Sequence, residues 1–170
     1  MRLELPEPSL VVLVGASGSG KSTFARRHFR PTEIVSSDAC RGLVADEEGD
    51  MSASDDAFEL LHLIASMRLG RGRLTVVDAT NLEPQWREPL VAIAREHRCP
   101  AVAIVLDVPE DVCRDRNRSR PDRRIGASVL RTQIGALRQS LPSLGSEGFQ
   151  QVHVLSPEAI DGAAVVRLRL

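Results

Sequence analysis

Aromatic residues are scarce in this chain: it has no tyrosine, one tryptophan and four phenylalanines among 170 residues. It also lacks any apolar run of about 18 residues, the length that a membrane-spanning helix needs. The first ten residues, MRLELPEPSL, lack the basic start and apolar core of a signal peptide. We therefore expect a cytoplasmic protein without membrane association.

Cysteine and lysine are rare as well. Cys40, Cys99 and Cys113 are odd in number and widely spaced, which argues against a disulfide framework or a zinc site and favours a reducing compartment. The 22 basic residues include only one lysine, Lys21. Base bias in the genome explains a preference for arginine, but it does not explain this one exception.

The chain otherwise has the composition of an ordinary globular protein, with 42% apolar residues, 26% charged residues and a net charge of −1. Strands are predicted over 9–14, 33–35, 74–77, 101–108, 150–155 and, as an edge strand, 165–170. Helices are predicted over 21–29, 54–69, 84–97, 110–120 and 128–141. Because strands and helices alternate, we expect a single α/β domain over 1–170 with a parallel sheet covered on both faces.

The first predicted strand runs into Gly-Ala-Ser-Gly-Ser-Gly-Lys-Ser at residues 15–22, a full match to the phosphate-binding loop (P-loop) pattern G-x-x-x-x-G-K-[ST]. Glycines let successive N–H groups point at phosphate oxygens, and the following helix adds positive partial charge. A plain glycine-rich turn is the alternative, but the lone lysine stands at the one position where the pattern needs it. The residues expected to bind the nucleotide are Gly15, Ser17, Gly18, Ser19, Gly20, Lys21, Ser22 and Thr23.

Two aspartates follow predicted strands. Asp78 comes after 74–77, where a carboxylate can help Ser22 hold Mg²⁺; the alternative is an aspartate that caps a turn. Asp38 comes after 33–35 and could accept a proton from an attacking hydroxyl, or it is part of a simple helix N-cap. Arg41 lies one turn further on, where it could steer an anionic acceptor.

A basic segment follows the 101–108 strand. Residues 110–138 carry eight arginines against four acids. Arg116 and Arg120 share a helix face, and Arg123 continues it. This pattern is typical of a mobile lid, here about 109–125, whose arginines neutralise the transferred phosphoryl group. A solvated basic face is the alternative. A GTPase is excluded in practice, because its Asn-Lys-x-Asp element needs a second lysine.

Together, four elements resemble the N-terminal 5′-kinase module of bacterial polynucleotide kinase–phosphatase (Pnkp), a family of P-loop phosphotransferases. They are the P-loop, Ser37-Asp38-x-x-Arg41, Val77-Asp78-Ala79-Thr80-Asn81 and Arg116-Asn117-x-x-Arg120-x-x-Arg123. The resemblance implies a P-loop kinase fold and transfer of the ATP γ-phosphate to a 5′-hydroxyl end of RNA or DNA, in nucleic-acid repair. It also implies a module of a longer protein with phosphatase and ligase partners; a homodimer is a further expectation.

Carried over by residue, the resemblance implies that Asp38 is the general base and that Arg41 and, more weakly, Arg123 contact the acceptor. Arg116 and Arg120 would bind the ATP phosphates and act in catalysis with Lys21, while Ser22 and Asp78 would hold Mg²⁺.

Two alternatives stay open: a kinase of a small molecule or nucleoside, and a nucleotide-controlled binding module without an acceptor. With Phe24, Phe29, Phe58, Phe149 and Trp86 as its aromatic residues, the sequence shows no evident stacking platform for single strands. Acceptor binding is therefore expected to depend on phosphate contacts, arginine and shape.

Overall fold

The computed structural model of the chain describes residues 1–121 and 125–169, and within them it shows a parallel five-stranded sheet. The strands are β2 Leu10–Val14, β3 Ile34–Ser36, β4 Thr75–Asp78, β5 Ala101–Leu106 and β6 Gln151–Leu155. Their order in the sheet is β3-β4-β2-β5-β6. The helices are α1 Lys21–His28, α2 Ser37–Ala45, α3 Ser54–Gly70, α4 Pro84–Glu96, α5 Glu110–Arg118, α6 Ala127–Ser140 and α7 Pro157–Asp161. The predicted α/β class with helices around a parallel sheet is confirmed.

The central strands are apolar throughout because both faces of the sheet are covered. Successive side chains of β2 point to opposite faces. Val12 and Val14 join the apolar cluster under α3 and α4, whereas Val11 and Leu13 join the cluster under α1 and α6. A strand buried on both sides reads as a continuous apolar run, which is why β2 and β5 were evident in the sequence.

A small second sheet lies beside the main one. β1 (Arg2–Glu7) pairs in parallel with β7 (Ala164–Arg169). Leu3 and Leu5 of β1 are fully buried in the cluster under α1 and α6. The predicted terminal strand 165–170 is confirmed over its described residues, whereas β1 was missed because its two leucines alternate with charged residues over only a few positions.

Helix α5 is shorter than predicted. It ends at Arg118, whereas the sequence suggested 110–120. A proline disfavours helical backbone at the residue before it. Pro121 therefore restricts Arg120, and the helix ends earlier, at Arg118. In the segment predicted as the lid, α5 is followed by the non-helical residues 119–121; residues 122–124 lie outside the described part.

A buried ion pair fixes the start of α4. Arg87 is 0% exposed, and its Nε and Nη2 each donate to the Glu147 carboxylate at 2.7 Å. Its Nη1 donates to the backbone oxygen of Asn81 at 2.8 Å. Burial acts to raise the pKa of Glu147, but hydrogen bonds from Arg87 and Ser143 lower it below its usual value. The pair therefore holds the chain between β4 and α4 against the segment that follows α6.

We expect Glu147→Ala to lower the free energy of unfolding by about 3–5 kcal/mol, because it leaves the buried guanidinium of Arg87 without its carboxylate. Urea unfolding followed by circular dichroism measures the loss. Glu88→Ala is the matched control: Glu88 lies on the exposed side of α4, and its removal should have little effect on the free energy of unfolding. Equal losses in the two variants would show that the pair contributes nothing specific.

Candidate active site

The P-loop joins β2 to α1 and has a backbone that only glycine allows at two points. Gly18 and Gly20 have φ of +83° and +96°, in the left-handed region that favours glycine. A Cβ on Gly18 would also lie 2.5 Å from the backbone oxygen of Cys113 in α5. The loop is therefore curled tightly and packed directly against α5.

Lys21 is the buried cation at the centre of this loop. Its residue surface is only 8% exposed. Nζ donates to the backbone oxygens of Gly15 at 2.8 Å and Ala16 at 2.9 Å. Burial lowers the pKa of Lys21 to about 8, with Asp78 acting in the opposite direction. Because these acceptors are neutral, the ammonium retains positive charge that an incoming phosphate can neutralise.

Ser22 and Asp78 meet at the carboxyl ends of two neighbouring strands. The Ser22 hydroxyl donates to Oδ2 of Asp78 at 2.7 Å, and Asp78 is buried. Oxygen donors of this kind suit Mg²⁺, which is commonly held by one or two carboxylates together with substrate phosphates. The two residues thus fit the predicted metal role, although within the described residues no cluster of three or more His, Cys, Asp or Glu side chains could hold a metal ion alone.

Asp38 lies beside this pair because of the strand register. Ser36 of β3 is paired with Asp78 of β4, so α2 begins next to the P-loop. Ser36 is also the N-cap of α2, its hydroxyl accepting from the Ala39 amide, so Asp38 itself is not the capping residue. Asp38 instead forms an ion pair with Arg41, whose side chain is 3% exposed.

Arg41 is held in turn by the chain that follows α2. Its Nε donates to the backbone oxygen of Glu48 at 2.8 Å. The guanidinium therefore has a fixed position between Asp38 and the loop after α2.

One cavity of about 660 Å³ joins these groups. Of the residues predicted from the sequence, it is lined by Ser17, Gly18, Gly20, Lys21, Ser22, Asp38, Arg41, Asp78 and Arg120. Other described candidates, Gly15, Ser19, Thr23 and Arg116, lie outside its lining, and Arg123 lies outside the described residues. The structure thus brings the P-loop, both aspartates and Arg120 of the predicted lid to one cavity.

Arg116 contacts the P-loop backbone, and its predicted contact with the ATP phosphates stays a prediction. Its Nη1 donates to the backbone oxygens of Gly18 at 3.3 Å and Ser19 at 3.2 Å. Beside it, Nδ2 of Asn117 donates to the backbone oxygen of Ser17 at 3.0 Å. These contacts dock α5 on the P-loop, so Arg116 supports the loop.

Several residues at the site escaped the sequence reasoning. Oε1 of Gln133 in α6 accepts from the Ser17 amide at 2.8 Å, and no sequence pattern marked this glutamine. The side-chain amide of Asn81 donates to the backbone oxygen of Leu13 at 2.8 Å. Asn81 ends the Val77–Asn81 motif, but the sequence pattern gave it no role. Phe58 and Trp86, far apart in sequence, lie together on the cavity wall.

The fold and this loop define a P-loop kinase-like α/β protein. A family model described as an AAA domain matches residues 10–144, and the chain belongs to that family. No protein with a curated description matches it in sequence. The predicted family is therefore confirmed at the level of a P-loop kinase-like domain, while the narrower polynucleotide kinase assignment remains a prediction.

Solved structures agree with this class. Kti12 of Chaetomium thermophilum, in complex with ADP-AlF3, is similar with a TM-score of 0.66 and 17% identity, over 88% of this chain and 89% of that one. The Mycobacterium tuberculosis APS kinase CysC, with AMPPNP and APS, has a TM-score of 0.58 and 19% identity, over 93% and 94%. A chain of a Pnkp1/Rnl/Hen1 complex has a TM-score of 0.53 and 28% identity, over 61% of this chain and 37% of that one.

In keeping with the sequence, none of the described helices has the length and apolar character needed to cross a membrane.

We expect the affinity for ATP to fall as pH rises through about 8, because Lys21 loses its charge there in the nucleotide-free protein. Linkage gives a loss of about tenfold by pH 9 relative to pH 7, measurable by titration calorimetry. Lys21→Arg is the control: it should bind more weakly but with a flat profile, since a guanidinium stays charged. A flat profile in the unmodified protein would contradict the assignment.

Proposed function

We propose that this protein is an ATP- and Mg²⁺-dependent kinase that phosphorylates the 5′-hydroxyl end of a polynucleotide. The observation that carries the proposal is the Asp38–Arg41 pair, which lines the same cavity as Lys21 and Ser22. A carboxylate and a guanidinium opposite a phosphate loop suit an acceptor that offers both a hydroxyl and a phosphate.

In the proposed reaction, the Asp38 carboxylate accepts the proton of the 5′-hydroxyl as the hydroxyl oxygen bonds to the γ-phosphorus. The bond between that phosphorus and the β–γ bridging oxygen breaks, and ADP leaves with its electron pair. The ion pair with Arg41 holds the Asp38 carboxylate in place for this step. Arg41 itself, lining the cavity, is the proposed ligand of the acceptor's next phosphate.

On the donor side, the Lys21 ammonium and the loop amides bind the ATP phosphates. Arg120 lines the cavity and its charge acts on Lys21, which supports the proposal that it neutralises charge on the transferred group. Arg116, which contacts the P-loop backbone, is proposed to bind the ATP phosphates with it. Ser22 and Asp78 would hold Mg²⁺, which supplies electrostatic stabilisation of the phosphoryl oxygens.

The likeness to a chain of the Pnkp1/Rnl/Hen1 complex supports the polynucleotide acceptor, since its identity of 28% is higher than the 17% and 19% of the two other neighbours described. The same likeness motivates the further proposals of linked phosphatase and ligase modules, a role in RNA repair and Arg123 as an acceptor contact. A cytoplasmic location is proposed from the sparse, widely spaced cysteines. A homodimer also stays a proposal.

We expect label from γ-labelled ATP to appear on a 5′-hydroxyl RNA or DNA oligonucleotide and not on the same strand already phosphorylated at its 5′ end. A nucleoside 3′-phosphate should be a better acceptor than the plain nucleoside, because only the former offers a phosphate to Arg41. Gel electrophoresis and thin-layer chromatography separate the products. Transfer to adenylyl sulfate or a sugar instead would indicate a small-molecule kinase, and hydrolysis without any acceptor product would indicate a nucleotide-controlled binding module.

We expect Asp38→Asn to lower the transfer rate by about 10²–10⁴-fold, the usual contribution of a general base, while ATP binding is retained. Single-turnover transfer and calorimetric ATP titration measure the two effects separately. Asp56→Asn, an exposed carboxylate on α3 outside the cavity lining, is the control. Unchanged transfer in Asp38→Asn, or loss of ATP binding in the folded variant, would rule out the proposed role.

A further inference from the structure

Two aromatic rings that are 28 positions apart in the sequence stack on the wall of the cavity. The ring centroids of Phe58 in α3 and Trp86 in α4 are 5.6 Å apart, with 26° between the ring planes. Both residues line the cavity. Trp86 nevertheless remains 44% exposed, so a large part of the indole is available for contact with a ligand. Phe58 covers part of the indole, and the remaining exposed surface is accessible to a ligand in the cavity.

The pair lies on the acceptor side of the cavity. Helix α3, which carries Phe58, packs against α2, which carries Asp38, and against β3 and β4. Helix α4, which carries Trp86, follows β4 and its terminal Asp78 directly. The helices α5 and α6 pack against each other and follow β5, on the other side of the P-loop. The aromatic pair thus shares its half of the site with the two aspartates.

Trp86 is also held rigidly. The next residue, Arg87, is fully buried and bound to Glu147 and to the backbone of Asn81. The amide of Trp86 donates to the backbone oxygen of Glu83 at 3.1 Å, in the first turn of α4. A fixed ring loses little conformational entropy when a planar ligand stacks on it. Met51, also on the cavity wall, adds a flexible apolar neighbour.

We infer that Trp86, backed by Phe58, is the stacking platform for the nucleobase of the acceptor's 5′-terminal nucleotide. This inference rests on the proposed polynucleotide kinase function and names the group that binds the base. Stacking on an aromatic face is tolerant of base identity, so the site selects an end that carries a base and does not read its sequence. Arg41 then holds the following phosphate, and the 5′-hydroxyl lies at Asp38.

The test uses the intrinsic fluorescence of the unmodified protein, because Trp86 is its only tryptophan. The protein is titrated with a 5′-hydroxyl RNA trinucleotide and with the same trinucleotide bearing an abasic 5′-terminal sugar. We expect saturable quenching by the first and little change with the second. Trp86→Phe provides the background signal, and γ-labelled ATP added to each mixture reports transfer.

The outcomes separate the two proposals. Quenching confined to the base-bearing trinucleotide supports the platform. Equal quenching by the two trinucleotides, or transfer to the base-bearing one without quenching, overturns the platform. Transfer in either case leaves the kinase function standing. Quenching by ATP alone overturns it in favour of the donor base. If neither quenching nor transfer is seen with either trinucleotide, both proposals fail.

A kinetic measurement extends the test to affinity. We expect Trp86→Leu to raise KM for the base-bearing acceptor by about 5- to 150-fold, the range that loss of one base–aromatic stack gives. KM for the abasic acceptor should not change, and neither should ATP affinity. Leu63→Ala, which removes another exposed apolar side chain of α3 outside the cavity lining, is the matched control. A parallel rise in KM for both acceptors would indicate a merely structural role for Trp86.

Discussion

The burial of the Lys21 ammonium inside its own loop is the constraint on which the site depends. To satisfy that charge, the chain curls until the backbone oxygens of Gly15 and Ala16 reach Nζ, and such a curl requires left-handed backbone at Gly18 and Gly20. Among the described residues no carboxylate lies at hydrogen-bonding distance from Nζ. Burial of the charge is costly in the free protein, and a bound phosphate offsets that cost.

The parallel sheet gives this loop its chemical neighbours. Because parallel strands end at the same edge, the register that pairs Ser36 with Asp78 places the start of α2 beside the P-loop. Asp38, in the first turn of α2 after β3, therefore reaches the same cavity as Asp78, the last residue of β4. The adjacent strand ends thus support a site for the phosphate donor and a site for the acceptor hydroxyl, each with its own carboxylate.

Support around the site comes from contacts that carry no sequence signature. Arg116 and Asn117 fix the P-loop from α5, and the buried Arg87–Glu147 pair fixes α4. Arg116 is an example: its charge predicts phosphate binding, and the structure shows that it also donates to backbone oxygens of the loop. Only the tertiary packing of α5 against the loop reveals that second contact.

Local patterns in the sequence determined the strands buried on both faces, the P-loop and the positions of Asp38 and Asp78 after their strands. Each depends on residues close together in the chain, so periodicity and spacing reveal it. The tertiary structure alone decided the pairing of β1 with β7, the contact of Gln133 with the P-loop and the stacking of Phe58 on Trp86. These contacts join residues separated by 28 to more than 150 positions, and no local pattern specifies which distant side chain completes them.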